Sequence, residues 1–141
     1  MFAKKEWQKI VVASKIIITN SSGEMLILLR GKTAPSRPLQ WDIPGGVVEE
    51  GEHPEEAVIR EAEEEAGIKP KSVRILYVDY EVGRLGFKGP VMSFIYTCSI
   101  DNCTGEVKLS YEHEEYKWVS VNEFVSLEVP EKYKKAAKLL G

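Results

Sequence analysis

The chain is poor in the residues that build zinc sites and disulfide frameworks. It has two cysteines and two histidines. The histidines are His53 and His113, and no Cys/His ligand spacing for zinc occurs. Cys98 and Cys103 flank an expected turn at Asp101-Asn102, which leaves a cross-hairpin disulfide conceivable and free thiols in a reducing compartment the preferred reading. Long apolar runs are also missing. The stretch from Ile10 to Ile18 is too short to cross a bilayer, and Ser14 and Lys15 interrupt it. The first residues carry Lys4, Lys5 and Glu6 without a signal-peptide core, so no membrane association and a cytoplasmic location are expected. There is no excess of positive charge either: 19 Lys and Arg against 22 Asp and Glu leave a net charge of −3. That balance argues against a general nucleic-acid-binding surface. It leaves nucleotides open, because a bound metal can bring the positive charge. Repeats, low-complexity tracts and linkers are absent, so the 141 residues, 43 % of them hydrophobic, are expected to form a single domain over 1–141.

What the chain does have is a concentration of glutamates over 46–68. It reads Gly46, five residues, Glu52, seven residues, then Arg60-Glu61-Ala62-Glu63-Glu64-Glu65-Ala66-Gly67-Ile68. Pro54 suits the first turn of a helix, Glu55 and Glu56 favour its dipole, and Gly67 followed by Pro70 ends it. A helix over Pro54–Ala66 places Val58, Ile59, Ala62 and Ala66 on a core-facing stripe and Glu56, Arg60 and Glu63 toward solvent. Glu61, Glu64 and Glu65 fall on a third stripe around the small Ala57, next to the apolar one. Like charges at i,i+3 and i,i+4 oppose each other by about 0.2–0.5 kcal/mol per pair. A stretch that breaks a local rule in this way is a candidate functional site. A divalent cation relieves the repulsion, and the hard, oxygen-preferring Mg²⁺ and Mn²⁺ suit carboxylates best. The segment Trp41-Asp42-Ile43-Pro44-Gly45-Gly46 precedes this helix and lets backbone approach a ligand closely.

The rest of the chain alternates strand-like and turn-like segments. Strands are expected over Val11–Thr19, Met25–Arg30, Val73–Val82, Val91–Ile100 and Glu115–Val119. The first two meet at the turn Asn20-Ser21-Ser22-Gly23, and Gly83, Gly86, Gly89 and Pro90 mark a hairpin-like loop between the third and fourth. Asn122 is a candidate cap for a short helix through Leu127. A last helix over Pro130–Leu140 would turn Tyr133, Ala136, Ala137 and Leu140 inward and Lys134, Lys135 and Lys138 outward. Trp118 reads as core, while Tyr80, Phe94 and Tyr96 read as core or pocket. A mixed sheet with helices on both faces, an α+β or α/β class, follows from this pattern.

The acidic motif resembles the Nudix hydrolase family. The family's box is Gly-x5-Glu-x7-Arg-Glu-U-x-Glu-Glu-x-Gly-U, with U a bulky aliphatic. Gly46, Glu52, Arg60, Glu61, Glu64, Glu65 and Gly67 fill every fixed position, Ile68 fills the last U, and Ala62 is a small departure at the first. Weaker similarity extends to Trp41–Gly45, to Leu26-Ile27-Leu28-Leu29-Arg30 and to Glu112-His113-Glu114-Glu115-Tyr116-Lys117-Trp118-Val119. The resemblance implies an α/β/α sandwich with a mixed central sheet and Mg²⁺-dependent hydrolysis of a pyrophosphate bond in a nucleoside diphosphate linked to another moiety, with Mn²⁺ a possible substitute.

It also implies roles. Glu61, Glu64 and Glu65 would hold the metal together with the carbonyl of Gly45, and Glu61 is alternatively the general base. Glu52 and Arg60 would pair and brace the loop. A further carboxylate would come from Glu112, Glu114 or Glu115, with Glu112 favoured as ligand or base and His113 read as a loop residue. Arg30, Lys32 and Arg37 would flank the cleft, Arg30 and Arg37 as phosphate contacts, and Trp41 would stack on a base or pack at the rim. The segment Leu109–Trp118 is similar to one in dinucleoside polyphosphate hydrolases of the family, and nucleoside triphosphates and ADP-ribose-like compounds stay open as substrates. The alternative is a non-catalytic nucleotide sensor on the same fold. The expected partner is a small nucleotide, and the sequence leaves monomer and homodimer open.

Overall fold

The computed structural model describes residues 6–83 and 89–141. Lys4, Lys5 and the loop glycine Gly86 lie outside the described residues. In chain order the elements are β1 (Val11–Thr19), β2 (Met25–Arg30), β3 (Trp41–Asp42), β4 (Gly45–Val47), α1 (Pro54–Ala66), β5 (Lys69–Pro70), β6 (Arg74–Glu81), β7 (Val91–Ser99), a 3₁₀ turn (Ile100–Asn102), β8 (Cys103–Thr104), β9 (His113–Val119), α2 (Val121–Val125) and α3 (Glu131–Ala137).

One seven-stranded sheet runs in the order β3-β2-β1-β7-β6, with β4 also paired to β1 and β9 to β2. β1 and β7 are parallel along their whole length, from Val11↔Val91 to Thr19↔Ser99. The other pairings in this sheet are antiparallel, so it is mixed, as expected. Period-two alternation divides the core. Ile17 and Ile27 point to one face and pack with Phe124, Tyr133, Ala136 and Ala137 of α2 and α3. Ile16, Ile18, Leu26 and Leu28 point to the other and pack with Val58, Ala62 and Ala66 of α1. The result is the α/β/α sandwich.

The ends of α1 are fixed by local chemistry. The His53 ring accepts from the Glu55 amide, and the Glu56 carboxylate accepts from the His53 amide, a capping box. Gly67 stops the helix in the left-handed region at φ 74°. Beyond it, the Lys108 and Ser110 amides donate to the carbonyls of Ala66 and Glu65. Those bonds dock the segment before β9 on the end of α1.

Several element boundaries differ from expectation. α2 is capped by the Ser120 side chain, not by Asn122, and α3 stops at Ala137, leaving Leu140 partly buried beyond it. β9 starts at His113, opposite Arg30, next to a register irregularity at Leu29/Arg30. Tyr96 is buried with the α1-side cluster, where Phe94 and Trp118 are partly buried. Tyr80 is exposed and its hydroxyl donates to Gln8 Oε1. Cys98 and Cys103 are free thiols with sulfurs 3.6 Å apart, and burial pushes the Cys98 thiol far up.

Candidate active site

The site is built where β4 leaves β1 and meets α1. Lys15 of β1 lies opposite Gly45, and Ser14 opposite Gly46. Gly45 has φ 138°, and a Cβ there would sit 2.1 Å from the Ser14 carbonyl oxygen. Glycine is therefore required by both backbone angle and space. A Cβ on Gly46 would instead sit 2.8 Å from the Glu61 carboxyl carbon. β4 thus lies directly on two of the expected carboxylates: Glu61 against Gly46, and Glu65, whose Oε1 accepts from the Gly45 amide at 2.8 Å.

These carboxylates differ in environment. Glu65 is buried, and burial pushes its carboxyl up to about 7, against the opposing pull of Lys15 and the Gly45 amide. Burial also raises Glu61, with Arg60 opposing. Arg60 does not simply face solvent. Its guanidinium bonds Glu52 through Nε at 2.7 Å and through Nη2 at 3.0 Å, and its Nη1 reaches Glu61 at 3.0 Å and Glu64 at 3.2 Å. The hydrogen bond from Arg60 holds Glu52 below the ordinary range, and the Glu49 amide bonds Glu52 as well. Glu52 and Arg60 brace the loop as expected. Arg60 also relieves the Glu61–Glu64 repulsion that the sequence had left without a partner.

On the opposite side lies a charged network that sequence reasoning missed. Asp42 is buried and binds Lys15 at 3.4 Å, Arg30 at 3.0 Å and Arg37 at 3.3 Å, as well as the Ile43 amide. Burial alone would raise its carboxyl; Lys15, Arg37, Arg30 and the Ile43 amide more than offset this and hold it low. Arg30 and Arg37 are thus brought together at the cleft, but through a carboxylate of the protein. Arg37 has a left-handed backbone, φ 46°, and its buried Nη1 has no hydrogen-bond partner. Both arginines line a cavity with Lys15, Asp42, Gly45 and Gly46. The signal for Lys15 was present: it is a lone charge inside an apolar strand, and burial demands a partner of opposite sign.

A second cavity, about 240 Å³, brings Glu112 to Glu65, with Arg30, Tyr111 and His113 around it. Glu114 and Glu115 are exposed on β9 and do not line it. His113 is not a loop residue. It is a buried strand residue whose Nδ1 has no hydrogen-bond partner, and burial lowers its pKa. Trp41 lines neither cavity. It packs against the α3-side core, and the Lys117 ammonium sits 4.7 Å from its ring centroid. Lys32 is exposed and lines neither cavity.

An α/β/α sandwich thus sets the glycine pair of β4 against an acidic helix face, with two arginines held on Asp42 beside it. The NUDIX domain family model matches residues 9–140, and the chain belongs to that family, as a Nudix hydrolase of the pyrophosphohydrolase class. It is 30 % identical over 115 residues to the asymmetrical bis(5'-nucleosyl)-tetraphosphatase of Caenorhabditis elegans, covering 82 % of each chain. It is 33 % identical over 102 residues to the ADP-ribose pyrophosphatase of Methanocaldococcus jannaschii, covering 72 % of this chain and 58 % of that one. The solved MutT protein of Methanosarcina mazei Go1 superposes with a TM-score of 0.79 at 28 % identity, covering 95 % of this chain and 94 % of that one. No helix among the described residues is long and apolar enough to cross a membrane.

Nudix hydrolases generally use divalent metal ions. The donor chemistry fits a hard cation: Glu61 and Glu65 offer carboxylate oxygens beside Gly45 and Gly46, and the more exposed Glu64 reaches Arg60 from the same helix. Among the described residues, however, the acidic side chains do not converge as a ready cluster of three or more. Arg60 holds Glu61 and Glu64, while Glu65 is held by the Gly45 amide.

Proposed function

We propose that this chain hydrolyses a phosphoanhydride bond in a nucleoside diphosphate linked to another moiety, with Mg²⁺ as cofactor and Mn²⁺ able to replace it. The observation that carries the reading is the seating of Glu65 on the Gly45 amide at 2.8 Å, at a cavity shared with Glu112 and Arg30. Glu61, Glu64, Glu65, Glu112 and the Gly45 carbonyl are the groups that would hold the cation. The bound cation would neutralise phosphate charge and lower the pKa of water.

The protein's own part is positioning. Arg60 fixes Glu61 and Glu64 from one side, and the Gly45 amide fixes Glu65. Arg37 would offer its guanidinium to a phosphate oxygen from the wall of the cavity it shares with Gly45 and Gly46, and Arg30 from the wall of both cavities. Water attacks phosphorus, the bridging P–O bond breaks, and the leaving phosphate keeps the electron pair. The water proton passes to Glu61 or Glu112. Dinucleoside polyphosphates are the favoured substrates, supported by the similarity of the chain to the nematode tetraphosphatase. Nucleoside triphosphates and ADP-ribose-like compounds are the comparison set.

A Mg²⁺-supplemented panel of these compounds, with products resolved by chromatography, tests the reading. Turnover of at least one member is expected, and Glu65→Gln should reduce it by about 100-fold or more while the protein stays folded. Near-normal turnover in that variant would remove Glu65 from the chemistry. Tight binding without turnover would favour the nucleotide sensor.

A further inference from the structure

Lys15 is a buried cation at the site to which the proposed reaction gives no role. Its side chain is 9 % exposed, with Nζ 3.4 Å from Asp42 and 3.5 Å from the Gly45 carbonyl oxygen. It also lies 5.6 Å from the centroid of the Tyr133 ring. Burying an ammonium is costly unless the site demands it. Asp42 already has Arg30, Arg37 and the Ile43 amide on its oxygens. Lys15 is a third cation on Asp42, and unlike the two arginines it also reaches the Gly45 carbonyl oxygen.

Its placement is set by backbone. Lys15 is the strand partner of Gly45, so the ammonium is anchored beside the turn whose amide holds Glu65. Lys15 also pulls electrostatically on Glu65. The ammonium thus contacts one carbonyl oxygen of the cation's donor set and acts on its Glu65 carboxylate through space.

We propose that Lys15 is an internal counter-cation that holds the metal-free site and weakens its affinity for divalent ions. The inference rests on the assignment of Gly45 and Glu65 to the cation site. When the carbonyl and carboxylate turn to a divalent ion, Lys15 is left to Asp42. Its charge stays close and opposes binding, which sets the affinity lower than the carboxylates alone would give.

Binding of Mn²⁺, followed by the electron paramagnetic resonance of the free ion, tests this without recourse to activity. Lys15→Met removes both charge and hydrogen bonds; Lys15→Gln removes the charge and keeps a donor for Gly45 or Asp42. Both are expected to bind Mn²⁺ about tenfold more tightly, the scale of one charge facing a divalent ion a few ångströms away in a water-like dielectric. Unchanged or weaker binding in a folded variant overturns the proposal. The wild-type protein gives a check that needs no variant at residue 15. The side-chain ¹³C resonances of Lys15 should move on Mg²⁺ addition, and their indifference would overturn the idea equally. Glu65→Gln separates the two levels of inference. Loss of Mn²⁺ binding there upholds the site, whereas wild-type binding refutes the site assignment itself.

Discussion

A single carboxyl carries much of the tension in this molecule. Glu65 is 8 % exposed, and burial lifts it from the ordinary 4.5 to about 7. Between those values the unfolded chain releases a proton that the folded one keeps. The unfolded state then binds fewer protons, so stability falls as pH rises from about 4.5 through about 7. At about 1.4 kcal/mol per pKa unit, the loss approaches about 3 kcal/mol for the metal-free protein. Glu65→Gln removes the titration. Urea unfolding in chelator should find the variant gaining on wild type between pH 5 and pH 8, by up to that amount, and parallel pH profiles would contradict the account. The sequence revealed Glu65 because its spacing from Gly46 is local. It hid the pairing of Lys15 with Asp42, which lie on strands separated by β2 in the sheet, because that pairing depends on topology. It also misjudged the electrostatics of the acidic stripe. A guanidinium on a stripe read as solvent-facing reaches Glu61 and Glu64 as well as Glu52.

The glycine pair that opens β4 shows how one short element serves fold and chemistry separately. At Gly45 an added Cβ meets the Ser14 backbone at 2.1 Å and the φ of 138° is unfavourable to other residues. At Gly46 it meets the end of the flexible Glu61 side chain at 2.8 Å. Gly45→Ala should therefore lower the melting midpoint strongly, by more than about 2 kcal/mol in stability. Gly46→Ala should cost less than about 1 kcal/mol yet displace Glu61 and depress turnover. Thermal unfolding beside steady-state assays distinguishes them; equal loss of stability in both would deny the division of labour. Helix α1 was readable because its start and stop signals are covalent facts of Pro54 and Gly67. The two-residue strands β5 and β8 were not, since their existence depends on partners distant in sequence. The same dependence moved the start of β9. Pairing of His113 with Arg30 pulls that residue into the sheet and leaves Glu112, just before it, at the cavity.

Across the whole molecule, two apolar clusters on opposite faces of one sheet provide stability, while the charged groups gather around the Gly45-Gly46 turn. Such a division makes ligand binding a measurable part of stability, because an ion that prefers the folded site shifts the unfolding equilibrium. At an Mg²⁺ concentration about 100 times its dissociation constant, the gain is about 2.7 kcal/mol. For a chain of this size that corresponds to a rise in midpoint of roughly 5–15 °C. The net charge of −3 would also attract Mg²⁺ diffusely, but salt screens that attraction. The expected result is a shift that survives moderate potassium chloride in wild type and in Arg30→Ala. In Glu65→Gln it should nearly vanish. A full shift in Glu65→Gln would place the ion elsewhere on the surface. Loss of the shift in Arg30→Ala would make that arginine a support of the metal site through Asp42, not a contact for phosphate.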